Sequence, residues 1–400
     1  YTTKFSKDKS IRKDDIKPEI KYNNLMKNFL FLLLIMSAAC TTKKETVHNP
    51  FKGKIEPLSI NGSFRMDDHI VWGGSVIKHE DRYYMFVSVY PDSCGRNTWI
   101  TNSRVALAVS DNPEGPYEFM KFVLPYRDKK FWDGMMTHNP SIRKHEGNYY
   151  LFYIGNTYDF ERPCGGMSNR DPRFHQAFSN QRIGVATAKH PEGPWERYDQ
   201  PVIEPREGHW DLTITSNPAP VIHDDGSVTL IYKSTNMFFP ERLERHNKDG
   251  LPRFIIGAAR ADHPLGEYER LGEYDGLIKI EDTLSSLEDP FLWHDGERFN
   301  MLIKNFEKDI IEETGAAIYV WSDNGYEWYL PEDDPTVYTR EVTWKEGLTT
   351  TQKKLERPQI LMEDGKPAYI FLGTDFREDF HDTIENPVKT YNVVFKVKQE

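Results

Sequence analysis

Cysteine is scarce, with three in 400 residues. That scarcity excludes the disulfide-dense scaffolds of small secreted domains. Metal-ligand spacing is missing too: no His-x-x-x-His pair and no cluster of cysteines occurs, so no metal or other cofactor is expected. Lys and Arg never form a long run, and 51 of them against 62 Asp and Glu leave a formal charge of −11. An acidic chain without a basic stripe makes nucleic acid an unexpected partner. Long hydrophobic runs are also lacking. The one apolar stretch, Asn28 to Met36, is too short to span a bilayer stably.

What the chain does have is a repeat. Five times a short turn ending in Pro or Gly launches an apolar strand, a polar turn and a second strand rich in aromatics. Gly73-Gly74 leads into SVIKHEDRYYMF, Asn139-Pro140 into SIRKHEGNYYLF, Asn217-Pro218 into APVIHDDGSVTLIY, Asp289-Pro290 into FLWHDGERFNML and Arg357-Pro358 into QILMEDGKPAYIF. The starts lie roughly 65–80 residues apart, room for a four-stranded sheet and its loops. A second set falls between them: RVALAVSDNPEGPYEF from Arg104, RIGVATAKHPEGPWERY from Arg182, IIGAARADHPLGEYERL from Ile255 and AAIYVWSDNGYEWYL from Ala316. Each alternates like a strand, then turns on Pro-x-Gly or Asn-Gly into aromatic residues. Self-similarity of this kind predicts an all-β fold, a five-bladed β-propeller over residues 64–400 with almost no helix. Innermost strands of a propeller converge on one central pocket, so the residues at the five starts become neighbours.

The front of the chain stands apart. Met26 and Lys27 precede the short apolar run, Ser37-Ala38-Ala39-Cys40 follows it, and polar Thr41-Thr42-Lys43-Lys44 comes next. This is the layout of an export signal. With Cys directly after small residues it resembles the bacterial lipobox, which implies that residues 26–40 are a lipoprotein signal and that Cys40 becomes the lipid-modified N-terminus. The expected location is the outer membrane of a Gram-negative bacterium, facing the periplasm or the cell surface. Residues 1–25 read as a mis-called gene start and 41–63 as a linker. Cys94 and Cys164 remain, in loops after equivalent strands of blades one and two. A disulfide between them and two free thiols both stay open.

Blade signatures such as EDPFLWHDGERF and NPEGPYE, with the Asx-Pro starts, resemble the sugar-processing enzymes around glycoside hydrolase family 43, over residues 64–396. The resemblance implies an oligosaccharide substrate and other polysaccharide-degrading enzymes acting in the same pathway. That family's pattern places a base Asp at the first blade start, a supporting Asp in the second blade and an acid Glu in the third. Here the three starts read Trp72-Gly73-Gly74, Thr137-His138-Asn139-Pro140 and Thr215-Ser216-Asn217-Pro218, without a carboxylate. Asp67 and Asp68 lie a few residues upstream of the first. Acids arrive only later, as Glu288-Asp289 and Glu356.

Blades two and three share Trp-Asp-x-x-x-Thr, from Trp132-Asp133 and Trp210-Asp211, at identical spacing. Trp packing between blades, with Asp satisfying backbone groups of the turn, is the structural expectation. His138 and Asn217, just before the innermost strand, are expected to face the channel. Lys233 and Lys304 sit at one repeat position in otherwise apolar strands, so each needs an anionic partner, either a substrate or Glu288 and Asp289. The expected pocket thus holds His138, Glu288 and Glu356 as catalytic candidates, with Asn139, Asn217, Lys233, Asp289, Lys304 and Arg357 binding substrate.

Elimination at a non-reducing-end uronate uses these groups well. Cations and amides neutralise the sugar carboxylate, His138 removes H5, and a Glu or Tyr protonates the group leaving C4. In this the chain is similar to the oligosaccharide dehydratases of marine ulvan-degrading systems. Two alternatives stand beside it: an exo-acting glycosidase using Glu288 or Asp289 with Glu356, and a non-catalytic sugar-binding lipoprotein.

Overall fold

The computed structural model describes residues 46–59, 62–238, 250–308, 310–376 and 389–399. The readings of 1–25, of 26–40 and of Cys40 as a lipid site fall outside those residues. Blade one is β1 (His69–His79), β2 (Arg82–Pro91), β3 (Arg104–Ser110) and β4 (Glu118–Leu124), hydrogen-bonded in that order. Blade two repeats it with β5 (Met136–His145), β6 (Asn148–Asn156), β7 (Arg182–Ala188) and β8 (Glu196–Arg197), and blade three with β9 (Ser216–Ile222), β10 (Val228–Ser234), β11 (Ile255–Ala261) and β12 (Glu269–Arg270). Past β13 (Lys279–Ile280), blade four runs through β14 (Leu287–His294), β15 (Phe299–Asn305) and β16 (Ala317–Ser322), then, past β17 (Glu327–Trp328), through β18 (Thr336–Tyr338). A hairpin, β19 (Glu341–Thr343) with β20 (Thr349–Thr351), precedes blade five, which is β21 (Leu355–Glu363), β22 (Lys366–Phe376) and β23 (Lys389–Lys396). Among the described residues the only α-helices are α1 (Trp99–Asn102) and α2 (Pro172–Ser179). The expected five-bladed propeller is what the chain forms.

Each blade buries both faces against its neighbours, which is why the second strands read as unbroken apolar runs. Phe86 and Leu107 of blade one pack with Tyr149 and Leu151 of blade two, and Ile231 of blade three with Met301 of blade four. Met85 and Phe371 close the contact between blades one and five.

A segment from the front of the chain bridges the outer edge of blade five. Ile55 bridges Val397 antiparallel, Glu56 N–H donates to Lys396 O at 2.9 Å, and Lys398 N–H donates to Lys54 O at 2.8 Å. Phe51, fully buried, sets its ring edge-on to Trp293 and Tyr319 of blade four. The span read as a linker therefore enters the fold from Val47 to Leu58, both of them buried in the core shared by blades four and five.

The repeated Trp-Asp pair is structural, but its Asp accepts from side chains rather than from the backbone groups of the turn. Asp133 is fully buried and accepts from Arg127 Nε at 2.6 Å, Tyr153 Oη at 2.7 Å and Arg197 Nη1 at 3.3 Å. Asp211 repeats this with Arg206, Tyr232 and Arg270. The Trp132 and Trp210 indoles lie over Gly184 and Gly257, where an added Cβ would come within 2.2 and 2.1 Å of the ring. No side chain fits there.

The blade starts share a bulge. Strand pairing slips at Trp72/Ser75, His138/Ser141, Glu288/Phe291 and Glu356/Gln359, and between Ile231 and Lys233 in blade three. In each slip one residue takes a left-handed backbone: Gly73 at φ 67°, Asn139 at 50°, Asn217 at 52°, Asp289 at 56° and Arg357 at 60°. Gly, Asn and Asp tolerate that conformation, and Pro, with no N–H to donate, fits the interrupted ladder after it. The Asx-Pro signature is thus the sequence of a bulge that re-aims the side chains around it.

Candidate functional site

Where the bulges meet, four side chains and one open position circle the channel. Asn139 Nδ2 donates to Asn217 Oδ1 at 2.9 Å, and Asn217 Nδ2 donates to Asp289 Oδ1 at 2.6 Å. Arg357 N–H donates to Asp289 Oδ2 at 3.2 Å, and Arg357 Nη2 closes the circuit onto Asn139 O at 3.3 Å. The Arg357 stem passes Gly73 at ordinary contact distance, its Cγ 3.6 Å from where a Cβ would lie. Farther along β5, Arg143 lies across the channel, donating to Pro220 O at 2.7 Å and to Leu292 O at 3.5 Å. Burial and nearby Arg357 lower its pKa to about 9.

A cavity of about 360 Å³ opens on the other side of this collar. The residue before each left-handed position is Trp72, His138, Ser216, Glu288 or Glu356, and all but Ser216 line the cavity. The strands divide it into two halves. Blades one and two contribute Trp72, Tyr90, Trp99 and His138, with Asn97, Asn139 and Asn169, and no carboxylate. Blades three to five contribute a chain of alternating charge. Lys233 Nζ lies 2.5 Å from Glu288, Lys304 Nζ lies 3.4 Å from Glu288 and 2.5 Å from Glu356, and Lys354 Nζ lies 3.6 Å from Glu356. Register builds this chain, because Lys233 faces Ser216 and Lys304 faces Glu288 across the first two strands.

Those pairings set the protonation states. Burial works to raise the Glu288 pKa, but Lys233 and Lys304 outweigh it and hold the carboxyl below its ordinary range. Glu356 is held down in the same way by Lys304 and Lys354 against burial. Asp289 goes the other way: burial and adjacent Glu288 raise it to about 6 despite Arg357. For His138, burial and then Arg357 and Lys233 lower the pKa to about 3, so the ring is neutral. Its Nδ1 lies 2.8 Å from Ser103 Oγ, its ring sits 5.0 Å from Trp99, and Nε2 makes no hydrogen bond among the described residues.

Of the expected site residues, His138, Asn139, Asn217, Lys233, Glu288, Asp289 and Glu356 line the cavity. Lys304 and Arg357 do not. Lys304 stands behind Glu288 and Glu356, and Arg357, 1% exposed, is part of the collar. The bulge buries its guanidinium instead of pointing it at a ligand. Asp67 and Asp68 are exposed, with Asp68 2.6 Å from His69 Nδ1, and neither reaches the cavity.

The loops supply what the repeat does not announce. Arg96, Asn97 and Trp99 follow β2, and Asn169, Phe174 and Phe178 follow β6. Asp171 caps α2, accepting from Arg173 N–H at 2.8 Å, and Pro172 opens it. Cys94 and Cys164 form a disulfide between these loops, reinforced by Asn97 Nδ2 donating to Met167 O at 3.1 Å. Their shared Cys-Gly setting in the sequence is the one signal that the loops meet. Among the described residues no group of three or more His, Cys, Asp and Glu is placed to hold a metal ion.

No family model matches the chain, and no curated protein matches it. Among solved structures, a glycoside hydrolase superposes with a TM-score of 0.57 at 14% identity, covering 95% of this chain and 97% of that one. Zg3597, a family 117 glycoside hydrolase produced by the marine bacterium Zobellia galactanivorans, gives 0.55 at 16% identity, over 86% of this chain and 88% of that one. A GH43 β-xylosidase/α-arabinofuranosidase from a compost microbial metagenome, solved with xylotriose, gives 0.52 at 14% identity, over 87% and 94%. At such identities the likeness is one of fold: the chain shares the five-bladed propeller of these glycoside hydrolases.

Proposed function

We propose that the chain is a carbohydrate-active enzyme that takes the terminal uronate of an oligosaccharide into the axial cavity and eliminates across C4–C5. The observation that carries this reading is the neutral His138 imidazole on the carboxylate-free half of the cavity, fixed at Nδ1 and without a partner at Nε2. As base it takes the proton from C5, the C5 electron pair forms the C4–C5 double bond, and the C4 oxygen leaves with a proton. Burial raises the Tyr90 pKa, so its phenol stays protonated and supplies that proton. Burial sets most of the low basicity of His138, and Arg357 and Lys233 add to it. Glu288 and Glu356, the other two catalytic candidates, are held ionised and serve here to orient the lysines.

Hydrolysis is favoured by one observation: carboxyls with pKa values pushed apart, Asp289 up and Glu288 and Glu356 down. Against it, both Asp289 oxygens already accept hydrogen bonds within the collar. One incubation with uronate-ended oligosaccharides separates the readings. Elimination yields an ultraviolet-absorbing unsaturated end, with loss of one water if the leaving group is hydroxide, and His138→Ala abolishes it. New reducing ends without a chromophore, lost on Glu356→Gln or Asp289→Asn, would establish hydrolysis instead. Binding without any product leaves a sugar-binding protein. Export and lipid anchoring through Cys40, at a Gram-negative outer membrane and beside other polysaccharide-degrading enzymes, belong to the same proposal and rest on the sequence.

A further inference from the structure

We propose that Arg96 and Lys354, both beside the Trp72 indole, form the subsite for one anionic substituent of the sugar, a carboxylate or a sulfate ester. The inference rests on the carbohydrate reading and deepens it. Lys233 and Lys304 are the cations the repeat points to, yet their side chains are 7% and 6% exposed and each is 2.5 Å from a carboxylate. A ligand reaches other charges first. Arg96 and Lys354 are 32% and 39% exposed, and both line the cavity. Arg96 Cζ stands 5.4 Å and Lys354 Nζ 5.8 Å from the centroid of the same indole.

Neither cation has all its donors engaged among the described residues. Glu356 is held more closely by Lys304, and Lys354 sits 3.6 Å from its other oxygen. Arg96 binds buried Asp375 through Nη1, while its Nε and Nη2 make no hydrogen bond among the described residues. Two cations beside one indole repel each other, and an anion bound by both offsets that repulsion while the indole covers an apolar face of the sugar. Trp72 occupies the first blade start, so this subsite shares one cavity with the imidazole of blade two.

Calorimetry on the intact protein tests this with three probes of equal length: a galacturonate trisaccharide, its carboxyl-reduced counterpart and a sulfated galactan trisaccharide. Lys354→Met should weaken the charged probe that binds by about tenfold and leave the reduced probe unchanged, and Lys354→Arg should retain the affinity. Added salt should weaken only the charged probes. Which of the two charged probes binds tells carboxylate from sulfate. Equal loss on the neutral probe, no loss on Lys354→Met, or a wild-type protein that binds neither charged probe would overturn the subsite. Charged binding that needs Lys354 but yields no unsaturated product sinks elimination and leaves the subsite standing.

Discussion

Glu288 touches two ammonium groups and Lys304 touches two carboxylates, so neither can be removed alone without stranding a buried charge. Lys304→Met is expected to cost about 3–5 kcal/mol in urea denaturation. The triple variant Lys304→Met/Glu288→Gln/Glu356→Gln removes those three charges together but leaves buried Lys233 without its carboxylate, so it should remain destabilised. The two glutamates also set an acid limit. Their folded pKa values lie below the unfolded ones, so their contribution is complete above the ordinary glutamate value and drains away as pH falls beneath it. Asp289, raised to about 6, has the opposite sign and weakens the fold as pH climbs from its ordinary value towards 6. Stability measured from about pH 5 down to about pH 3 should fall steeply in wild type and less in the triple variant. A triple variant with the same slope would remove the glutamates from that role.

At the scale of strands and loops, the sequence is legible where a geometric need recurs. Five left-handed bulges demand Gly, Asn, Asp or an exception, and the Pro after four of them marks the place, so blade count and the cavity floor can both be read off. The facing lysines are legible too, because register repeats with the blades. What the repeat hides is the destination of each charge. Arg357 carries the same position label as Asn139, yet a longer side chain in the same bulge turns into the collar. Arg96, Trp99, Phe174 and Lys354 lie in connections of unequal length, with no period to place them, so half of the cavity wall comes as a finding. The connections that carry Arg96, Trp99 and Phe174 are held by the Cys94–Cys164 bridge, which closes a 70-residue separation. Cys94→Ser/Cys164→Ser should lose about 2–4 kcal/mol and lower the thermal midpoint. Limited proteolysis should then cut first near residues 92–98 and 157–170. Unchanged melting and an unchanged digest would mean that the bridge is dispensable.

For the whole molecule, the apolar run before Ser37-Ala38-Ala39-Cys40 carries a prediction of its own. Mass spectrometry of the membrane fraction should find a mature chain beginning at a diacylated Cys40, and Cys40→Ser should leave it unprocessed or release it. A mature chain that retains Met26 and carries no lipid would refute the anchor. Beyond location, the pairing of Ile55 with Val397 decides when the molecule exists at all. A segment made before blade one waits for a partner made in blade five, so the ring is shut by a seam with no covalent bond across it. Until the ring closes, its first and last blades each have an uncovered face, and blade five has an open edge. A copy that stops short of Val397 therefore differs from a finished one by the whole seam rather than by a few residues, and proteases have a clear mark by which to tell the two apart.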